Sequence, residues 1–207
     1  MSLTNTSIPE FTDALASGAP VPGGGGASAL AGALGVALGS MVGNLTLGKK
    51  KYAGVQDDMV RILEKARALQ TELLALIERD AAGFEPLSRA YGIPKDDPAR
   101  ADIMESALRD ACQPPLDIMR ACAAAIELLD ELSQKGSRLA VSDAGAGAAL
   151  CGAALSAASL NVYINTKSMT DRRRAADTEA ASDALLAQYR PLADSICERV
   201  VRALRNA

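Results

Sequence analysis

The chain contains no histidine, so the commonest general base and the commonest metal ligand are both missing. Acid–base work falls to Asp, Glu, Lys, Tyr and water, and no metal site is expected. Two carboxylates stand out by position. Asp143, after Ser142, opens a stretch that carries no charge before Lys167. An acid there complements the positive end of a helix dipole or serves a site. Asp80 continues the series Met59, Ile62, Ala66, Leu69, Leu73, Leu76, whose alternating spacing of three and four is the heptad pattern of a bundle. An unpaired carboxylate on such a stripe is costly. Asp80 therefore belongs to a site, pairs with a buried cation, or lies just off the register; Phe84 follows one turn later.

A second group brackets an uncharged stretch that runs from Asp13 to Lys49. Pro20-Val21-Pro22-Gly23-Gly24-Gly25-Gly26 cannot be helix interior at its prolines, and its glycines admit unusual backbone. As a loop opening a helix, Pro22, Gly23, Gly24 and Gly25 offer free N–H groups and a positive dipole end to an anion or carbonyl. The stretch closes on Lys49-Lys50-Lys51-Tyr52. Lys50 is the candidate donor or charge on the oxyanion side, since a desolvated lysine is tunable towards neutral pH; Lys49 and Lys51 fit a solvated helix end better. Tyr52 covers a bound ring or caps the helix. Asn44, Asn161 and Asn165 lie within uncharged helices and need partners if buried. They contact a ligand or bond one another.

One nucleotide-binding motif is only approximate. Gly43-x-x-x-x-Gly48-Lys49 matches most of a P-loop, but Lys50 stands where Ser or Thr should hold Mg²⁺, and a helix precedes it instead of a strand. Arg172-Arg173-Arg174 has the reach for an acidic tail, although such a run is usually a solvated face.

The elements that position these groups read as helices throughout. The 207 residues suit one domain, 1–207. Apolar residues make up 49% and aromatic ones 3%, so the core is built from Ala, Leu, Ile, Val and Met. Helices are expected over Ile8–Ser17, Ala27–Leu47, Val55–Tyr91, Ala99–Ser133, Ser142–Ser168, and from Asp171, as cap, to about Leu204. Pro114-Pro115 should kink or divide the fourth, and Pro191 should kink the last. Leu116, Met119, Ala123, Ile126 and Leu129 form one inward stripe; Leu185, Tyr189, Leu192, Ile196, Val200 and Leu204 form another. Gly35, Gly39 and Gly43 recur every four residues and suggest one tight helix pair. The expected fold is an all-α, mostly up-and-down bundle of five or six helices.

Other classes recede. A net charge of −3 and a pI near 5.1 argue against general nucleic-acid binding. Cys112, Cys122, Cys151 and Cys197 lack C-x-x-C spacing and read as core residues in a reducing compartment. The uncharged stretches are long enough to span a bilayer but are rich in Ala, Gly, Ser and Asn. They read as helices buried in protein, with no membrane partner. With no basic segment leading into an apolar one, no signal peptide is expected, and the location expected is cytoplasmic.

Pro20-x-Pro22-Gly-Gly-Gly-Gly followed by Ser40-Met41-Val42-x-Asn44-Leu45-Thr46-x-Gly48-Lys49-Lys50-Lys51-Tyr52 resembles the start of the cyclodeaminase/cyclohydrolase family of folate enzymes. Asp80-x-x-x-Phe84, Ala90-Tyr91-Gly92-Ile93-Pro94-Lys95, Val141-Ser142-Asp143-Ala144-Gly145 and Ala158-x-x-Asn161-Val162-Tyr163-Ile164-Asn165 continue the likeness. It covers nearly the whole chain and is greatest to the standalone bacterial methenyltetrahydrofolate cyclohydrolases.

The resemblance implies hydrolysis of 5,10-methenyltetrahydrofolate to 10-formyltetrahydrofolate. The alternative is closure of 5-formiminotetrahydrofolate to the methenyl compound with loss of ammonia. Both reactions pass through a tetrahedral carbon between N5 and N10, and folate is substrate with no separate cofactor. The resemblance makes Asp143 the favoured carboxylate, with Asp80 second; one acts on the proton and the other holds the pterin. Pro22, Gly23, Gly24, Gly25, Asn44, Tyr52, Asn161 and Asn165 are the binding candidates. A homodimer is expected, because two helices uncharged all round cannot both be sealed by four neighbours.

Overall fold

The protein is described by a computed structural model covering residues 2–206. Six α-helices follow in order: α1 (Ile8–Ala16), α2 (Gly24–Thr46), α3 (Gln56–Tyr91), α4 (Arg100–Lys135), α5 (Val141–Thr166) and α6 (Arg172–Arg205). Short 3₁₀ segments occur at Leu3–Asn5, Lys50–Val55 and Arg138–Ala140, and no strand occurs among the described residues. The all-α bundle expected from the sequence is what forms.

The helices start and stop for local reasons. Ser7 and Glu10 form a reciprocal capping box on α1. Gly48, at φ 74°, takes the left-handed turn after α2. Asp171 accepts from the Arg174 N–H at 3.0 Å and caps α6, as its position predicts. Arg172, first of the arginine run, donates to the Thr166 carbonyl at 2.8 Å and so closes the end of α5.

The apolar stripes point inward. Met59, Ile62, Leu73, Leu76, Met119, Ile126 and Leu129 are all buried. The stripe on α6 runs out one turn early, since Leu204 is exposed. α4 is continuous through Pro114 and Pro115, and α6 through Pro191, so neither helix is divided.

α2 packs on α3, α4 and α5 and runs antiparallel to α5. Its glycines serve more than the single helix pair expected. A Cβ on Gly35 would lie 2.8 Å from the Gly147 carbonyl of α5; one on Gly39 would meet Leu129 of α4 at 3.0 Å; one on Gly43 would meet Leu63 of α3 at 2.9 Å. The four-residue spacing drifts about 40° per step around a helix with 3.6 residues per turn, so successive glycines face different neighbours. Gly147 answers Gly35, its own Cβ position lying 2.7 Å from the Gly35 carbonyl. These contacts set α5 directly against α2 and fix which residues meet at each end of the bundle.

Both helices are long and apolar enough to cross a membrane, yet 56% and 50% of their apolar windows are buried within the protein. The uncovered faces carry Leu34, Met41 and Leu45 on α2 and Leu160 and Ile164 on α5.

Candidate functional site

At one end of the bundle the start of α2, the middle of α3 and α4, and the last turns of α5 surround a cleft of about 190 Å³, open to solvent. An enclosed small-molecule site measures roughly 300–1,000 Å³, so the cleft takes in part of a ligand and leaves the rest at its open mouth. Gly23, Gly24, Gly25, Asp80, Asn161 and Asn165 line it, with Phe84 and Ile164 as apolar walls.

The glycines here are the first turn of α2 and not a loop ahead of it, because the helix begins at Gly24. First-turn N–H groups have no intrahelical acceptor, so Gly24 and Gly25 bring free donors to the cleft. The reason for glycine is steric. A Cβ on Gly25 would sit 2.0 Å from Asp80 Oδ1 and 2.4 Å from its Cγ. The bare backbone lets the carboxylate rest against the positive end of α2.

Asp80 is partly buried and has no salt-bridge partner among the described residues. Burial pushes its carboxyl above the usual carboxylate range, while the Gly26 N–H pulls in the opposite direction. The heptad register thus placed an acid on a stripe where it serves a cleft, not an ion pair.

Asn161 and Asn165 lie one turn apart on α5. Their side-chain amides do not bond one another. Asn161 donates to the Ala157 carbonyl at 3.0 Å, and Asn165, 7% exposed, donates to the Ala111 carbonyl of α4 at 3.0 Å. Pro22 is buried behind the cleft rather than lining it, in reach of the first turn of α2; Pro20 and Val21 take its place in the wall. The lining residues that were not candidates from the sequence are Pro20, Val21, Phe84, Ala111, Pro115 and Ile164. Phe84 was legible from its i,i+4 spacing to Asp80.

The other candidates lie at the opposite end. Asp143 occupies the first turn of α5, about 33 Å along the helix from Asn165 at 1.5 Å per residue. Lys50 is exposed just beyond the other end of α2, and Asn44 is exposed within its last turn. Tyr52 accepts a hydrogen bond from the Arg138 N–H at 3.0 Å, which pins the α4–α5 connection and lowers the phenol's pKa. A second cleft of about 420 Å³ lies there, lined by Leu45, Lys49, Lys51, Tyr52, Arg138 and Leu139. One protomer therefore brings Asp80, Gly23, Gly24, Gly25, Asn161 and Asn165 together and keeps Asp143, Lys50, Asn44 and Tyr52 apart from them.

Fold and cleft define a class: an all-helical bundle that presents a carboxylate against a helix start, here in a chain without histidine. The chain belongs to the formiminotransferase-cyclodeaminase family, whose pattern it matches over residues 7–184. It is 42% identical to the methenyltetrahydrofolate cyclohydrolase of Methylorubrum extorquens, over 95% of this chain and 96% of the relative. It is 32% identical to the mouse formimidoyltransferase-cyclodeaminase, over 82% of this chain but only 32% of that longer protein. A crystal structure of formiminotetrahydrofolate cyclodeaminase from Thermotoga maritima superimposes with a TM-score of 0.82 at 29% identity, covering 98% of this chain and 97% of that one.

Proposed function

We propose that the chain hydrolyses 5,10-methenyltetrahydrofolate to 10-formyltetrahydrofolate, with Asp80 as the proton-transferring group. The observation that carries the reading is a carboxylate held against the start of α2 in an open cleft, in a chain similar over 95% of its length to a cyclohydrolase.

The methenyl bridge is a cation, so the approach of a carboxylate favours its binding. Water adds to the bridge carbon and loses a proton to Asp80. The resulting hydroxyl then becomes the formyl carbonyl, the carbon–N5 bond breaks and N5 takes a proton. The net reaction consumes one water and releases one proton. A carboxyl with a raised pKa suits both halves of this transfer, because it lies closer to the operating pH than an ordinary aspartate. The free N–H groups of Gly24 and Gly25 stabilise negative charge as it develops on the oxygen. Phe84 and Ile164 exclude bulk water from part of the cleft. No cofactor beyond the folate substrate is needed.

The active unit in this reading is a homodimer in a reducing cytosol. The uncovered faces of α2 and α5 form one apolar surface, and Ile164 and Leu45 connect it to the clefts at its two ends. A second copy laid antiparallel on that surface covers Leu34 and Met41. It also carries the partner's Lys50 and Asp143 towards the Asp80 cleft, which gives these residues access to the substrate. The four cysteines are unpaired, three of them buried, in keeping with a reducing compartment.

Ammonia-releasing closure of 5-formiminotetrahydrofolate is the second reading, favoured by the structural likeness to the Thermotoga maritima protein. The test runs both substrates side by side, following methenyl absorbance in one cell and ammonia in the other. Fast loss of methenyl absorbance with little ammonia release is expected. Efficient ammonia release with no hydrolysis overturns the reading.

A further inference from the structure

α4 carries Pro114 and Pro115 in succession at the level of the cleft. In a helix a carbonyl is served by the N–H four residues on, or three residues on in a 3₁₀ turn. For Ala111 those residues are Pro115 and Pro114, and neither has an N–H. The two prolines thus remove both helical donors from one carbonyl. Ala111 is buried, 5% exposed, and a buried carbonyl left without a donor is unfavourable.

Asn165 supplies the missing donor across the helix interface, its Nδ2 lying 3.0 Å from the Ala111 oxygen. A carbonyl oxygen accepts only from the NH₂ side of an amide. The amide is therefore locked one way round, Nδ2 towards α4 and Oδ1 left over. That Oδ1 has no hydrogen-bond partner among the described residues and is not sealed from solvent. Asn161 is oriented alike, its Nδ2 engaged by the Ala157 carbonyl. Together with the Asp80 carboxylate, the amide oxygens of the side chains lining the cleft stay available to the ligand, while each amide nitrogen gives one of its two N–H groups to the backbone.

We propose that Pro114 and Pro115 are positioning residues that act through the Ala111 carbonyl to hold Asn165 as an acceptor in the cleft, so that the cleft selects a ligand edge made of N–H donors. In a reduced pterin that edge is the 2-amino group with N3–H. The identity of the ligand rests on the folate reading; the orientation of the amide does not. Pro114 and Pro115 touch no reacting atom in this account.

The test is a double-mutant cycle between Pro115→Ala and Asn165→Asp, with 5-formyltetrahydrofolate as the calorimetric probe. Pro115→Ala restores a helical N–H to Ala111 and releases the amide, and affinity should fall about threefold to tenfold, the weight of one hydrogen bond. Asn165→Asp sets a carboxylate against the unserved carbonyl, and the loss should be larger. In the Pro115→Ala background Ala111 is already served, so the same Asp can present its oxygens to the ligand. The loss from Asn165→Asp should then shrink, a coupling that general damage to the fold does not produce. In parallel, the Asn165 side-chain amide should exchange slowly with solvent in the wild type and quickly in Pro115→Ala. Equal losses from Asn165→Asp in both backgrounds, or unchanged amide exchange in Pro115→Ala, overturn the proposal. A wild type that does not bind the probe but keeps its slow amide refutes the folate reading and leaves the positioning claim standing.

Discussion

Gly25 and Gly26 are adjacent in the first turn of α2, yet replacing each with alanine should have opposite results. A Cβ on Gly25 would lie 2.0 Å from Asp80 Oδ1, 2.4 Å from Cγ and 2.5 Å from Oδ2. Ordinary contact begins at 3.4 Å, so the whole carboxylate must withdraw by more than an ångström. A displacement of about 1 Å in a catalytic group typically costs on the order of a hundredfold in rate. Forcing a methyl into a filled site costs about 1–3 kcal/mol of stability, offset by up to ~1 kcal/mol from the better helix propensity of alanine. At Gly26 the nearest atoms would be Pro22 Cβ at 3.6 Å and Ile77 Cγ2 at 3.7 Å, both ordinary contacts. Gly26→Ala should thus keep its activity and melt at the wild-type temperature or slightly above. Gly25→Ala should lose about two orders of magnitude in kcat/KM with at most a modest drop in melting temperature. The assay is the decay of methenyl absorbance at several substrate concentrations, beside thermal melts. If Gly25→Ala turns over as fast as Gly26→Ala, the carboxylate does not work from its place against α2.

Three further outcomes follow from the same geometry. Asp80 binds its proton more tightly when folded, so wild-type stability should fall as pH rises through the ordinary carboxylate range to the raised folded value and stay lower above it. Asp80→Asn removes that dependence; urea titrations should show it matching the wild type in acid and exceeding it at neutral pH. Mixing inactive Asp80→Asn with inactive Asp143→Asn should restore about a quarter of wild-type activity, since half the dimers are mixed and each mixed dimer keeps one intact composite site. Continued inactivity after subunit exchange, verified by mass with one variant uniformly ¹⁵N-labelled, rules out the shared site. Lys50→Met should reduce turnover far more than Lys49→Met, and equal mild losses would return the whole cluster to a solvated helix end.

Much of this site was legible because a carboxylate interrupts an otherwise regular apolar stripe: Asp80 occupies the place of a core leucine, and Phe84 stands one turn on. Asn161 and Asn165 were visible as amides within an uncharged helix. The partner of Asn165 was not, because it is created by two prolines 50 residues away whose effect on a sequence reading is to predict a break. A helix persists across such a pair when its freed carbonyl is served from outside, and that is a tertiary fact. The start of α2 at Gly24 is tertiary as well, since glycine is needed there for the approach of Asp80 rather than for a turn. The spacing of Gly35, Gly39 and Gly43 announced close packing but not that three different helices would supply it. Asp143 and Lys50 carry family motifs, while their distance from Asp80 within one protomer depends on helix direction, which no local pattern encodes.

The most direct test of the central claim is single-turnover hydrolysis of 5,10-methenyltetrahydrofolate by Asp80→Asn, with the dissociation constant of 5-formyltetrahydrofolate measured on the same sample. The account predicts a rate at least about a hundredfold below wild type, the usual weight of a general acid–base group, in a protein that still folds and binds the folate. A rate near that of the wild type in the folded, folate-binding variant would contradict it.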